Sequence, residues 1–237
     1  MRPTTRFARP FSWGVHLLTA SGAVTGLFAL ICIATEQPAA AALLMLVSLA
    51  IDSVDGTLAR AIRVSEHLPQ IDGRRLDDMI DYLNFVVVPV FFLWGQDALV
   101  HAAWLAVPVL ASAYGFSRVD AKTDDDFFLG FPSYWNVLAL YLWLLDIGRV
   151  GGTLWVTGLS LAVFVPIKYI YPSKVKPRSL LLGLWGGAIV WMLAIAAAVI
   201  ADDLQTRERV AQLSLAYPVW YLWLSFTRGG FAERRIR

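Results

Sequence analysis

Apolar residues along this chain come in long runs rather than in alternation. Runs of about 20 residues, each long enough to cross a bilayer as a helix, fall at 13–34, 38–62, 72–94 and 98–116. A fifth follows 130–136 and reaches 145, and others lie at 150–170, 180–200 and 210–226. Only helices and closed barrels satisfy their backbones in lipid, and barrel strands would alternate in hydrophobicity. The pattern predicts an all-α fold, a polytopic integral membrane helical bundle of about eight transmembrane helices. No repeat, low-complexity tract or soluble domain interrupts it, so 1–237 reads as a single membrane domain.

Composition agrees. The chain is 58% hydrophobic and 16% charged, with mean hydropathy +0.60, against about 25% charged residues in soluble domains. The short basic segment 1–10 (Arg2, Arg6, Arg9) resembles the start of a signal peptide. The run after it is longer than a signal core and lacks a cleavage pattern, so it counts as the first span. Gly22 and Gly26 in that span are spaced for close helix packing. The lone Cys32 excludes an intrachain disulfide. Of the 20 basic residues, all but Arg149, Arg207 and Arg209 fall on one side of the predicted topology. That side is therefore cytoplasmic.

One stretch stands out chemically, 52–81, across spans two and three. Asp52, Asp55, Gly56 and Ala59 recur at i, i+3, i+4, i+7, one helix face. Gly73, Asp77 and Asp81 form a second face at i, i+4, i+8. Packed side by side, these helices bring four carboxylates together, which repel unless a positive charge sits among them. Hard oxygen donors suit Mg²⁺, Mn²⁺ or Ca²⁺, singly or as a pair. Two such ions can clamp a phosphate, and a carboxylate left off them can act as general base. Ion pairing with Arg60, Arg63, Arg74 and Arg75 is the plainer reading. Charge near a span is costly and usually functional, which favours the metal.

Asp52-x2-Asp55-Gly56-x2-Ala59-Arg60 followed by Gly73-x3-Asp77-x3-Asp81 resembles the signature of the CDP-alcohol phosphotransferase family. Residues 15–22, the loop text LPQIDG, KTDDDFFLGFPSYWN and IKYIYPSKVKPRS extend the resemblance to the bacterial branch that joins free choline to CDP-diacylglycerol. The resemblance implies the CDP-alcohol phosphotransferase fold and Mn²⁺ or Mg²⁺, two ions, held by Asp52, Asp55, Asp77 and Asp81. Asp81 is also the implied catalytic base. Gly56 and Ala59 line the cytidine site, with Asp52, Arg60 and Gly73 beside the nucleotide. CDP-diacylglycerol, choline and membrane lipid are the implied partners, a homodimer the implied assembly, and a bacterial inner membrane with the site at its cytoplasmic face the implied location. Nucleic acid is not an expected partner.

Outside the signature, Arg118, Lys122, Lys168, Lys174, Lys176 and Arg178 are candidates to grip the lipid diphosphate, Arg118 and Lys174 first. A quaternary ammonium is held by aromatic faces, and Tyr82, Phe131, Tyr134 and Trp135 are candidates for a choline cage. His16 reads as a packing or hydrogen-bonding residue rather than a metal ligand. Asp124, Asp125 and Asp126 read as a solvated loop. Within the family the competing acceptors are serine, glycerol phosphate and inositol phosphate. A cation-coupled transporter fits less well, because transporter sites lie near the midplane between repeats.

Overall fold

The structure, a computed structural model, describes residues 5–231 apart from Asp124, with side chains from Arg9 onward. Residues 1–4 of the basic N-terminal segment, Arg234, Arg235, Arg237 and Asp124 lie outside the described residues. The chain runs α1 (Thr5–Ala34), α2 (Pro38–Ile62), a short α3 (Val64–His67) and α4 (Gly73–Tyr82). A π turn (Leu83–Val87), α5 (Val88–Gly95), a 3₁₀ turn (Ala102–Leu105) and α6 (Ala106–Ser117) follow. Then come β1 (Phe127–Leu129), α7 (Trp135–Leu144), α8 (Arg149–Ala162), β2 (Lys168–Ile170), α9 (Arg178–Ile200), α10 (Leu204–Ser214) and α11 (Ala216–Gly229). Among the described residues, Arg9–Ala34, Pro38–Ile62 and Arg178–Ile200 are long and apolar enough to cross a membrane. Their large apolar side chains, such as Leu17, Leu27, Val190 and Leu193, point outward, as lipid-facing residues do. The protein is a largely helical membrane protein.

The helix pair that carries the acids is tied together by polar contacts beneath them. Asn84 Nδ2 donates to the Gly22 carbonyl (2.9 Å), and Ser48 Oγ donates to Asn84 Oδ1 (3.1 Å). Ser48 Oγ also bonds Thr25 Oγ1 at 2.6 Å. One network thus joins α1, α2 and the π turn. Gly22 and Gly26 permit it: a Cβ at Gly22 would meet Ile80 Cγ2 at 2.8 Å, and one at Gly26 would meet Asn84 Oδ1 at 2.7 Å. The π turn follows from Pro89, which has no N–H for the Phe85 carbonyl and whose ring crowds it. The wider turn relieves that crowding just after Asp81.

Several expectations need correction. The fold is not purely α: β1 and β2 pair antiparallel, Phe127 with Ile170, Phe128 with Tyr169 and Leu129 with Lys168. The run 150–170 is helical only to Ala162. Pro166 biases its predecessor to extended backbone, and 168–170 becomes strand. Residues 98–105 precede the helix that was expected to begin there. α7 has 10 residues, about 15 Å of helix, roughly half of a 30 Å hydrocarbon core. The polar joint before the last run is itself helical. Asp203 caps α10 by accepting from the Thr206 N–H (2.7 Å), and α10 and α11 are distinct helices.

The small sheet is anchored as well as paired. Ile170 N donates to Ser225 Oγ (3.1 Å), and Tyr221 Oη donates to the Ile170 carbonyl (2.8 Å). Lys168 N donates to the Gly230 carbonyl (2.9 Å). At Gly130 the backbone takes φ +86°, and a Cβ there would run into the Val163 carbonyl. Only glycine fits both demands.

Candidate active site

Asp52 and Asp55 lie near the last turns of α2, and Asp77 and Asp81 lie on α4. α4 starts where Asp72 caps it, accepting from the Arg75 N–H at 3.2 Å. α2 ends at Arg63 in a left-handed conformation, φ 57°. These two ends set the helices so that carboxylate oxygens of Asp52, Asp55 and Asp77 all lie within 4.8 Å of one another. Asp81 stands outside that trio, against Asp52. The four acids line one small cavity with Thr19, Gly22, Ser48 and Asn84. It holds about 10 Å³ for the centre of a water-sized sphere, room for one small ion or water. Asp55 is 3% exposed. Among the described residues none of the four carboxylates belongs to an ion pair. Of the arginines in the plainer reading, Arg63, Arg74 and Arg75 contact Glu66, Asp78 and Asp72 instead, and Arg60 acts electrostatically on Asp55 and Asp77 without forming an ion pair among the described residues. Converging oxygen donors without a cation fit a divalent metal.

The cluster has two distinct ends. At Asp55 the neighbours are Thr19, the Gly56 backbone and Arg60. Arg60 Nη2 donates to Thr57 Oγ1 (3.1 Å) and lies near where a Cβ on Gly56 would project (3.3 Å). Gly73 packs on His16, whose Cε1 would sit 3.0 Å from a Cβ there. His16 is buried, and its Nε2 meets no hydrogen-bond partner among the described residues. Asp52 interacts with Asp77, Asp55 and Asp81, and more weakly with Lys122 and Tyr134.

The other candidates disperse. Arg118 grips Asp120 in a two-pronged pair, Nε and Nη2 each donating at 2.8 Å. That contact holds the Asp120 carboxyl below the usual carboxylate range. Lys174 pairs with Asp126 (3.1 Å) and Lys168 with Asp125 (2.6 Å). Of the four aromatic candidates, Tyr134 has a hydroxyl that interacts electrostatically with Asp52. Trp135 is fully buried, its Nε1 donating to Ser112 Oγ (2.6 Å), with Phe131 packed on it at 5.2 Å. Tyr82 turns to the opposite flank, where its hydroxyl donates to the Val109 carbonyl (3.0 Å) and its ring meets Phe116. Tyr134 instead sits among Tyr171, Tyr217 and Tyr221.

A family profile described as CDP-alcohol phosphatidyltransferase matches residues 16–201, which takes in α1 from His16 onward, all of α2 and α4, and every acid of the cluster. The chain belongs to the CDP-alcohol phosphatidyltransferase family. It is 37% identical to the phosphatidylcholine synthase of Legionella pneumophila over 225 residues, 92% of this chain and 88% of that protein. It is 36% identical to the phosphatidylcholine synthase of Legionella bozemanae, over 87% of this chain and 98% of that one. It is 38% identical to the phosphatidylcholine synthase of Pseudomonas aeruginosa, over 70% and 71%.

Sequence reasoning passed over Thr19, Asn84, Tyr171, Tyr217 and Tyr221. Asn84 carried a signal, since a polar residue three after Asp81 extends the same helix face into an apolar run. The tyrosines carried none, because they come from α11 and from beside β2, far off in sequence.

Proposed function

We propose that this chain transfers the phosphatidyl group of CDP-diacylglycerol to free choline and releases CMP. The observation that carries the reading is the gathering of four carboxylates, none in an ion pair among the described residues, where α2, a helix long and apolar enough to cross a membrane, packs against α4. A site there is open to a lipid donor and to a soluble alcohol. The likeness to phosphatidylcholine synthases over most of the chain supports choline as that alcohol.

In this reading Asp81, outside the trio, takes the proton of the choline hydroxyl. The freed oxygen bonds to the lipid-side phosphorus, and the bond from that phosphorus to the CMP oxygen breaks, CMP keeping the electron pair. Asp52, Asp55 and Asp77, whose oxygens lie within 4.8 Å of one another, would hold Mn²⁺ or Mg²⁺, which would supply positive charge for the diphosphate. Gly56, Ala59, Gly73 and Arg60 receive the cytidine end. Tyr134, with Tyr171, Tyr217 and Tyr221, presents ring faces to the choline ammonium, with Phe131 and Trp135 as backing. The working molecule is one membrane domain of about eight spans, paired as a homodimer, with its acids at the cytoplasmic face of a bacterial inner membrane.

The test is CMP release from purified protein given CDP-diacylglycerol and Mn²⁺, with choline, serine or glycerol phosphate in turn. Release with choline alone, abolished by EDTA and restored by Mn²⁺, is expected. Release with serine and none with choline would overturn the assignment.

A further inference from the structure

One buried nitrogen next to the acid cluster stands unpaired. His16 is 8% exposed, and its Nε2 meets no hydrogen-bond partner among the described residues. A buried polar atom left unpaired is costly, which points to a partner that arrives from outside. The ring lies at the start of α4. A Cβ on Gly73 would meet His16 Cε1 at 3.0 Å and Nδ1 at 3.7 Å, and Nε2 is bonded to that Cε1. Further along, Gly22 packs on Ile80, and Gly26 packs on Leu83 and Asn84. Pairing His16 with Gly73, Gly22 with Ile80 and Gly26 with Asn84 means that α1 and α4 run side by side in the same direction. Thr19 and Asp77, which line the acid cavity, therefore lie one turn deeper than His16 and Gly73. At about 1.5 Å per residue that step is about 4.5–6 Å. α2 runs the other way, since Ser48 meets Thr25 while Asp55 shares the cavity with Thr19. Gly56 and Ala59 follow Asp55 toward the level of His16. His16 thus belongs to a layer of small residues, Gly56, Ala59 and Gly73, that adjoins the carboxylates.

We propose that His16 is a nucleotide-binding residue whose Nε2 hydrogen-bonds a ribose hydroxyl of the CDP-linked donor. The assignment rests on the phosphotransferase reading above. With the diphosphate at the carboxylates, the next group of the donor is the ribose, one turn along the helices, and the cytosine lies beyond it. The small residues let the sugar approach the backbone and reach the ring. A neutral imidazole nitrogen donates to a hydroxyl in one tautomer and accepts from it in the other, so the bond needs no charge on His16.

The test removes the hydroxyls. Calorimetry on the purified protein with Mn²⁺ compares CDP with 2′,3′-dideoxy-CDP, which lacks them. His16→Leu fills the ring's space without a hydrogen-bonding atom. It should weaken CDP about tenfold, the loss of one hydrogen bond, and change dideoxy-CDP less than twofold. His16→Gln, whose amide reaches about as far as Nε2, should bring CDP back to within about threefold. Without nucleotide, the melting temperature of His16→Leu should match or exceed that of the original protein, because the variant no longer buries an unpaired nitrogen. Equal weakening of both nucleotides, no weakening of either, or a lowered melting temperature that His16→Gln does not share would overturn the role of His16 and leave the phosphotransferase reading standing. An original protein that binds no CDP would overturn that reading and this assignment with it.

Discussion

Two acid-rich regions of this molecule behave in opposite ways. Asp120, Asp125 and Asp126 lie on the sheet layer, and each meets a basic partner at 2.6–3.1 Å. Asp52, Asp55, Asp77 and Asp81 lie between helices and meet one another instead. The first set is exposed and neutralised, which is how charge contributes to structure, modestly. The second is enclosed and unneutralised, so the folded protein holds repulsion that an arriving ion relieves. The contrast shows that spacing alone does not make an acidic site. A loop of consecutive aspartates finds lysines, while acids fixed on two rigid helices cannot turn away from each other.

The comparison breaks most severely at Asp81. Asp81→Asn removes the proposed proton acceptor and should lower turnover about 10²- to 10⁴-fold, the range for loss of a general base. CDP binding should persist by calorimetry. The same change removes one of four crowded charges, so the melting temperature of metal-free protein should rise. A variant that turns over normally removes Asp81 as base.

A smaller effect is expected for Asp77→Asn, which deletes one member of the trio. Mn²⁺ at 100 times its dissociation constant should stabilise the original protein by about 2.7 kcal/mol. In a thermal melt that gain should be largely lost in the variant. A full Mn²⁺ shift in Asp77→Asn would place the ion elsewhere.

The smallest effect belongs to the other region. Asp125→Asn should cost about 0.2–1 kcal/mol, as exposed pairs do, and leave turnover unchanged. The hydrogen bond from Lys168, with Thr123 nearby, holds the Asp125 carboxyl below the usual carboxylate range. A carboxylate depressed by folding adds stability above its unfolded pKa of about 3.9, and the gain is lost as pH falls through the lower folded value. The stability difference between original and variant, followed by denaturant melts, should therefore shrink below about pH 4 and stay constant near neutrality. A difference that grows on acidification would show that the pair is not the cause.

Much of this architecture was legible in the chain itself. Long apolar runs mean helices in lipid, because a bilayer offers no hydrogen-bond partner and the helix supplies its own. The 52–81 stretch put its acids on two faces, because helical periodicity is a local property. Tertiary structure decided which charges meet. The two strands pair across α7 and α8, and no local pattern marks three-residue strands inside otherwise apolar text. That distant pairing committed Lys168 and Lys174 to Asp125 and Asp126 and laid the Tyr171 ring against Phe128. Helix faces follow from neighbours a few residues apart, whereas a charge's partner depends on everything folded around it.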